Sequence, residues 1–196
     1  ANLPLCAPTM AIREILEVPD PQLKLVSAPV TKFDAELKAL VADMFETMYD
    51  AHGIGLAAIQ IGVPQRVLVI DLQEPVEDAH DHEHGEHCNH SHEVIRKPRI
   101  FINPEILDPS ADHSVYNEGC LSVPDQYAEV ERPASIRARW HDLEGHLHEE
   151  DMTGMMATCL QHEMDHLEGI LFIDHLSRLK RQMVLKKLDK QRRMAA

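Results

Sequence analysis

Residues 162–166 read His-Glu-Met-Asp-His, and no other stretch restricts the chain so tightly. On a helix, His162 and His166 stand at i and i+4, so both imidazoles project from one side and can share a metal ion. Glu163 adjoins the first histidine, where its carboxylate can take a proton from a water activated by that metal. Two imidazoles on a face shared with Leu160, Met164 and Leu167 would be hard to bury without partners. The spacing therefore predicts a metal-bearing helix, capped at Thr153, running to about His166 or Leu167, and stopped by Gly169. It also demands a third protein ligand. In the pattern HExxHxxGxxH that ligand would fall on Phe172, and no glutamate follows Glu168. Both common downstream solutions fail.

The remaining donors lie upstream. Cys159 precedes His162 by three residues on the same helix, where three ligands from one face would strain a tetrahedral site, so it reads as pocket lining. Cys120, in Glu-Gly-Cys-Leu-Ser, follows a glycine that allows close backbone approach and precedes Pro124, which should end regular pairing. Spacing alone leaves Cys120 balanced between ligand and inert buried thiol. Gln60 in Gly-Ile-Gly-Leu-Ala-Ala-Ile-Gln reads on its own as an exposed or backbone-bonded amide. The glycines of that stretch form neither GxGxxG nor a Walker sequence. Asp165 reads as a helix-surface charge.

Three segments, GIGLAAIQ (53–60), EGCLS (118–122) and QHEMDH (161–166), occur in the order of the signature motifs of peptide deformylases. The chain resembles the bacterial form of that family over roughly residues 10–180. The resemblance implies a metal held by Cys120, His162 and His166, with water in the fourth position. It implies Glu163 as the acid and base, and the Gln60 side-chain amide with the Leu121 backbone N–H as donors to the developing oxyanion. Gly53, Ile54, Gly55, Glu118, Gly119 and Cys159 are the implied substrate-binding positions. The implied cofactor is one divalent ion per chain, Fe(II) physiologically, with Zn, Ni or Co suited to the same ligands. The implied substrate is the N-formylmethionyl end of nascent polypeptides, released with formate. Two alternatives stand beside this reading: a metallopeptidase of another HExxH class, and a metal-storage or delivery protein.

The storage alternative rests on residues 80–92, HDHEHGEHCNHSH, which hold six histidines and a cysteine. This tract has no apolar residues with which to build a rigid site, so it reads as a solvated insertion at about 74–97 between two strands. Such a connection is longer than the family usually has. Residues 74–93 carry seven acidic side chains and no Lys or Arg, half of the chain's net charge of −14. The acidity argues against broad nucleic-acid affinity, and DNA is not expected as a partner.

The rest of the chain reads as one catalytic domain over 10–196, following an N-terminal extension at 1–9 that is expected to be disordered. A helix should begin at Asp34, bury Leu37, Leu40, Val41, Met44, Phe45 and Met48, and stop at Gly53. RVLVIDL (66–72) and RIFINPEI (99–106) read as strands, and SIRARWHD and HLHEEDM as a hairpin about Leu-Glu-Gly. The last helix should span about 175–196 and pack through Leu176, Leu179 and Met183. Its eight Lys or Arg against one Asp offer a basic face to ribosomal RNA. Strands grouped before the key helix predict an α+β fold with mixed or antiparallel sheets around a central HExxH-bearing helix. With no disulfide framework, apolar span or signal peptide, the expectation is a cytoplasmic monomer without membrane contact.

Overall fold

The computed structural model describes residues 10–76 and 93–196; the extension at 1–9 and the histidine-rich tract lie outside them. The first helix, α1 (Ala35–Asp50), starts where the Asp34 carboxylate accepts the Leu37 N–H at 3.1 Å. It ends earlier than expected. His52, at φ 57°, takes the left-handed position, its N–H bonding Tyr49 O while the Gly53 N–H returns to Met48 O. Gly53 thus closes the helix end through its N–H without taking the left-handed position itself, and opens the next segment.

The strands follow as β1 (Gly55–Ala57), β2 (Val67–Ile70), β3 (Glu74–Pro75), β4 (Val94–Ile95), β5 (Arg99–Pro109), β6 (His113–Cys120), β7 (Val123–Pro133), β8 (Ser135–His141) and β9 (Leu147–Thr153). Five of them form an antiparallel sheet in the order β1-β2-β5-β8-β9. The short pair β3–β4 stands at the base of the tract, and β6–β7 is a separate hairpin. This hairpin did not stand out in the sequence. Its Ser-Val-Tyr-Asn-Glu stretch is short of apolar residues because much of it faces solvent.

Two helices sandwich the large sheet. Strand β2 is buried at every residue: Leu68 and Ile70 face the cluster with Phe101, Trp140, Leu160 and Leu167, while Val67 and Val69 face Met44, Met48 and Ile102. That division explains its unbroken apolar run, since successive side chains serve opposite layers. The helix on the first layer is α2 (Gly154–Leu167), the HExxH helix. The fold is therefore α+β with antiparallel sheets, as the sequence indicates.

The final helix, α3 (Arg178–Ala195), begins later than expected, because Phe172–His175 close a 3-10 turn and the Ser177 hydroxyl caps the new helix at Lys180 N. Its buried stripe also differs. Val184 and Leu188 pack with Val123, Val130, Phe172 and Ile173, and Leu176 lies against the same cluster, whereas Leu179 and Met183 are exposed. Leu176 lies before the Ser177 cap, outside the helix, so it shares no helical face with Leu179 and Met183.

Candidate active site

Helix α2 brings the histidines inward by pairing a sheet-facing side with a site-facing one. Leu160 and Leu167 are fully buried against the sheet, His162 and His166 are buried on the side that meets Glu118 and Cys120 of the β6–β7 hairpin, and Glu163 is buried against Gly55 of β1. Thr153 occupies the cap position without a side-chain cap bond, and Gly154, at φ 59°, makes the entry turn. At the other end Gly169 takes φ 71°, its N–H bonding His166 O while Ile170 N–H bonds Asp165 O. A Cβ on Gly169 would stand 2.4 Å from Lys24 O, so only glycine fits.

Cys120 ends β6, immediately before the Leu121–Ser122 turn. Its pairing with Val123 is displaced from the Gly119–Tyr127 pair, and Pro124 falls inside that irregularity. The displacement turns the thiol toward α2. Cys120 Sγ lies 3.3 Å from His166 Nε2, and one donor atom from each of Cys120, His162 and His166 falls within 4.8 Å of the others. Among the described residues this is the one such group of His, Cys, Asp and Glu. His162 Nδ1 lies 2.8 Å from Glu118 Oε1, which leaves Nε2 with its lone pair for the site. A thiolate and two neutral imidazoles suit a transition-metal dication, so the donor chemistry fits the metal that the motifs imply. Cys159 stands outside the group; burial first, then the nearby Glu163 charge, pushes its thiol up to about 12. It lines the pocket as a neutral thiol.

Glu163 is pressed against the backbone of β1. A Cβ on Gly55 would sit 2.6 Å from Glu163 Oε1, so the glycine makes room for the carboxylate. Oε1 is 4.0 Å from His162 Nε2, and Oε2 is buried without a hydrogen-bond partner among the described residues. Burial pushes this carboxyl up to about 7, partly opposed by His162. Such a group can both take and return a proton near neutrality.

Gln60 is neither exposed nor simply backbone-bonded. Its Oε1 accepts Ala57 N–H at 2.9 Å, while Nε2 donates to Ser122 Oγ at 3.0 Å and lies 3.6 Å from Cys120 Sγ. The amide N–H group is thereby aimed at the donor cluster from a fully buried position. Leu121 packs across Gly53, where a Cβ would come within 2.7 Å of Leu121 Cδ1. Gly119 likewise lies beneath the Tyr127 ring, 2.4 Å from where its Cβ would be. Gly53, Ile54, Gly55, Gln60, Glu118, Gly119, Cys120, Leu121, Cys159, His162 and Glu163 all line one cavity of about 540 Å³. Residues the sequence had not singled out, including Tyr116, Tyr127 and Met155, share its wall.

Behind the donors lies an ionic network that sequence reasoning missed. Arg132 donates through Nε to Glu118 Oε2 at 2.7 Å, through Nη2 to Glu118 Oε1 at 3.0 Å, and through Nη1 to Asp165 Oδ2 at 2.8 Å. His175 Nε2 reaches the same Asp165 oxygen at 2.7 Å. Asp165 is therefore a network member and not the surface charge expected; α2 turns it toward β7, where Arg132 meets it. Arg132 stands in Val-Glu-Arg-Pro, which carries no motif, so only the hairpin's placement could have revealed it. Burial disfavours charge on Glu118, yet the bonds from His162 and Arg132 outweigh it and hold its carboxyl below the usual range.

Comparison with known proteins agrees with this geometry. The family model described as polypeptide deformylase matches residues 12–182. A peptide deformylase of Novosphingobium aromaticivorans is 72% identical over 188 residues, spanning 95% of this chain and 100% of the relative. That of Rhizorhabdus wittichii is 69% identical over 184 residues, spanning 94% and 97%. Among solved structures, a peptide deformylase from Legionella pneumophila superposes with a TM-score of 0.79 at 42% identity, covering 94% of this chain and 98% of its own. The chain belongs to the polypeptide deformylase family, metal-dependent hydrolases that remove the formyl group from the N-terminal methionine of nascent polypeptides.

Proposed function

We propose that Cys120, His162 and His166 hold the single divalent ion, Fe(II) in the cell, and that deformylation takes place in the cavity beside them. The observation that carries this reading is the convergence of one thiol and two imidazoles next to the buried Glu163 carboxylate. A metal bound there supplies Lewis acidity that makes water nucleophilic near neutral pH. Glu163 takes the proton from the attacking water and later delivers one to the departing amine. Water adds to the formyl carbon, the carbon–nitrogen bond breaks, and formate leaves. Negative charge on the former carbonyl oxygen is met by the Gln60 amide and the Leu121 backbone N–H; losing one such donor costs about 10²–10³ in rate.

The peptide is held along β1, the end strand of the sheet among the described residues, with Gly53 and Gly55 admitting close backbone approach and Gly119 sharing the cavity wall. Ile54 and the α2 residues around Cys159 take the methionine side chain. Selection thus falls on one apolar side chain and a formyl group, which suits a substrate pool sharing its first residue. The exposed basic side of α3 provides a contact for ribosomal RNA, the protein acting as a cytoplasmic monomer. Among the described residues no helix is long and apolar enough to cross a membrane.

The test is formate release from formyl-Met-Ala-Ser by anaerobically prepared protein, with the acetylated peptide as control. Formate from the first peptide and no cleavage of the second is the expected result. Equal cleavage of both, or of neither, would remove the reading.

A further inference from the structure

The segment leading into the histidine-rich tract is built into the cavity rim. Gln73, three residues beyond β2, holds φ 50°, a left-handed conformation that a side chain other than Gly, Asn or Asp rarely adopts. From there its Nε2 donates to Gly53 O at 2.9 Å and lies 3.4 Å from Asp71 O. Asp71 N–H bonds Ile54 O at 2.8 Å. The carbonyls of Gly53 and Ile54, two consecutive residues of the cavity wall, are therefore pinned from the β2 side, one of them by a side chain.

Gln73 is itself fixed. The fully buried Asp71 carboxylate accepts Gln73 N–H at 3.1 Å and Lys97 N–H at 3.0 Å through Oδ1, and the Tyr49 hydroxyl at 2.5 Å through Oδ2. The Arg96 guanidinium lies over the Tyr49 ring, 4.3 Å from its centroid. One carboxylate thus ties the outgoing leg, the returning leg and the end of α1 to a single point. A strained backbone supported by this many bonds, with its amide ending on the cavity rim, is over-determined for a surface connection.

We propose that Gln73 is a positioning residue for peptide binding: its amide fixes the Gly53 carbonyl and so the orientation of the Gly53–Ile54 peptide unit along which substrate lies. This rests on the assignment of that cavity to the deformylation substrate. Losing one neutral hydrogen bond from the rim would raise KM about three- to tenfold, with kcat unchanged because no reacting group moves.

The experiment measures kcat, KM and thermal midpoint for formyl-Met-Ala-Ser on the metal-loaded protein and its Gln73→Gly, Gln73→Ala and Gln73→Glu variants, with Glu163→Gln alongside. Gln73→Gly is the informative case. Glycine relieves the positive φ while deleting the amide, so a merely structural residue would leave KM alone. A raised KM in Gln73→Gly and Gln73→Ala, at unchanged kcat and without a lowered midpoint in the glycine variant, supports the proposal. Gln73→Glu should be the worst binder, since it sets a carboxylate against the Gly53 carbonyl. An unchanged KM in the glycine variant overturns the proposal while a dead Glu163→Gln leaves the assignment of the site standing. Undiminished turnover in Glu163→Gln overturns that assignment and the role of Gln73 with it.

Discussion

In the proposed reaction Glu163 takes the heaviest duty of any residue in the cavity, and its surroundings suit it. Gly55 leaves space for the carboxylate, and burial raises its proton affinity toward neutrality. Glu163→Gln keeps the shape but cannot exchange a proton. It should lower kcat by about 10²- to 10⁴-fold while the bound metal, counted by elemental analysis, stays at the unmodified level. Glu118 makes a prediction about stability. Its carboxyl is held below the ordinary value of 4.5, so its contribution is present above that value and is lost as pH falls through the lower, folded one. The gap in thermal midpoint between the protein and Glu118→Gln should hold from neutral pH down to about 4.5 and narrow below it. At this scale the meeting of Cys120, His162 and His166 was legible from their motifs, since the three bring donor atoms within 4.8 Å of one another. Asp165 was not: whether a helical carboxylate meets solvent or a buried guanidinium depends on a strand 33 residues away.

Between elements, Arg132 is the link that matters. It lies on β7, grips Glu118 on β6 and Asp165 on α2, and so fastens the hairpin bearing Cys120 to the helix bearing the two histidines. The arginine is almost completely buried, and its removal leaves the Glu118 carboxylate without a cation. Arg132→Met should destabilise the protein by about 3–5 kcal/mol, read by denaturant unfolding. It should also weaken metal retention against a chelator, because thiol and imidazoles then lose their fixed separation. The long helices and the apolar strand β2 could be placed from periodicity. The β6–β7 hairpin could not, since its exposed polar residues mask the alternation, and the start of α3 was shifted by an unanticipated 3-10 turn.

Across the whole molecule, the candidate donor group is complete without any residue of the histidine-rich tract, which lies outside the described residues. Strands β3 and β4 close the base of the tract, while the donors come from β6 and α2. Deleting residues 78–93 should leave formate release within about twofold of the full chain, because that stretch of sequence holds no large apolar residue. Loss of activity with metal still bound would make the tract part of the substrate site. The fold class could be read from strands clustered ahead of the key helix; which hairpin met that helix could not, since this depends on packing among three clusters distant in sequence. The most direct measurement is X-ray absorption on the protein loaded with one equivalent of zinc. One sulfur at about 2.3 Å and two imidazole nitrogens at about 2.0–2.1 Å are expected, with the sulfur lost in Cys120→Ala. A zinc shell of nitrogen and oxygen alone, or one unchanged in that variant, would contradict the joint site of Cys120, His162 and His166.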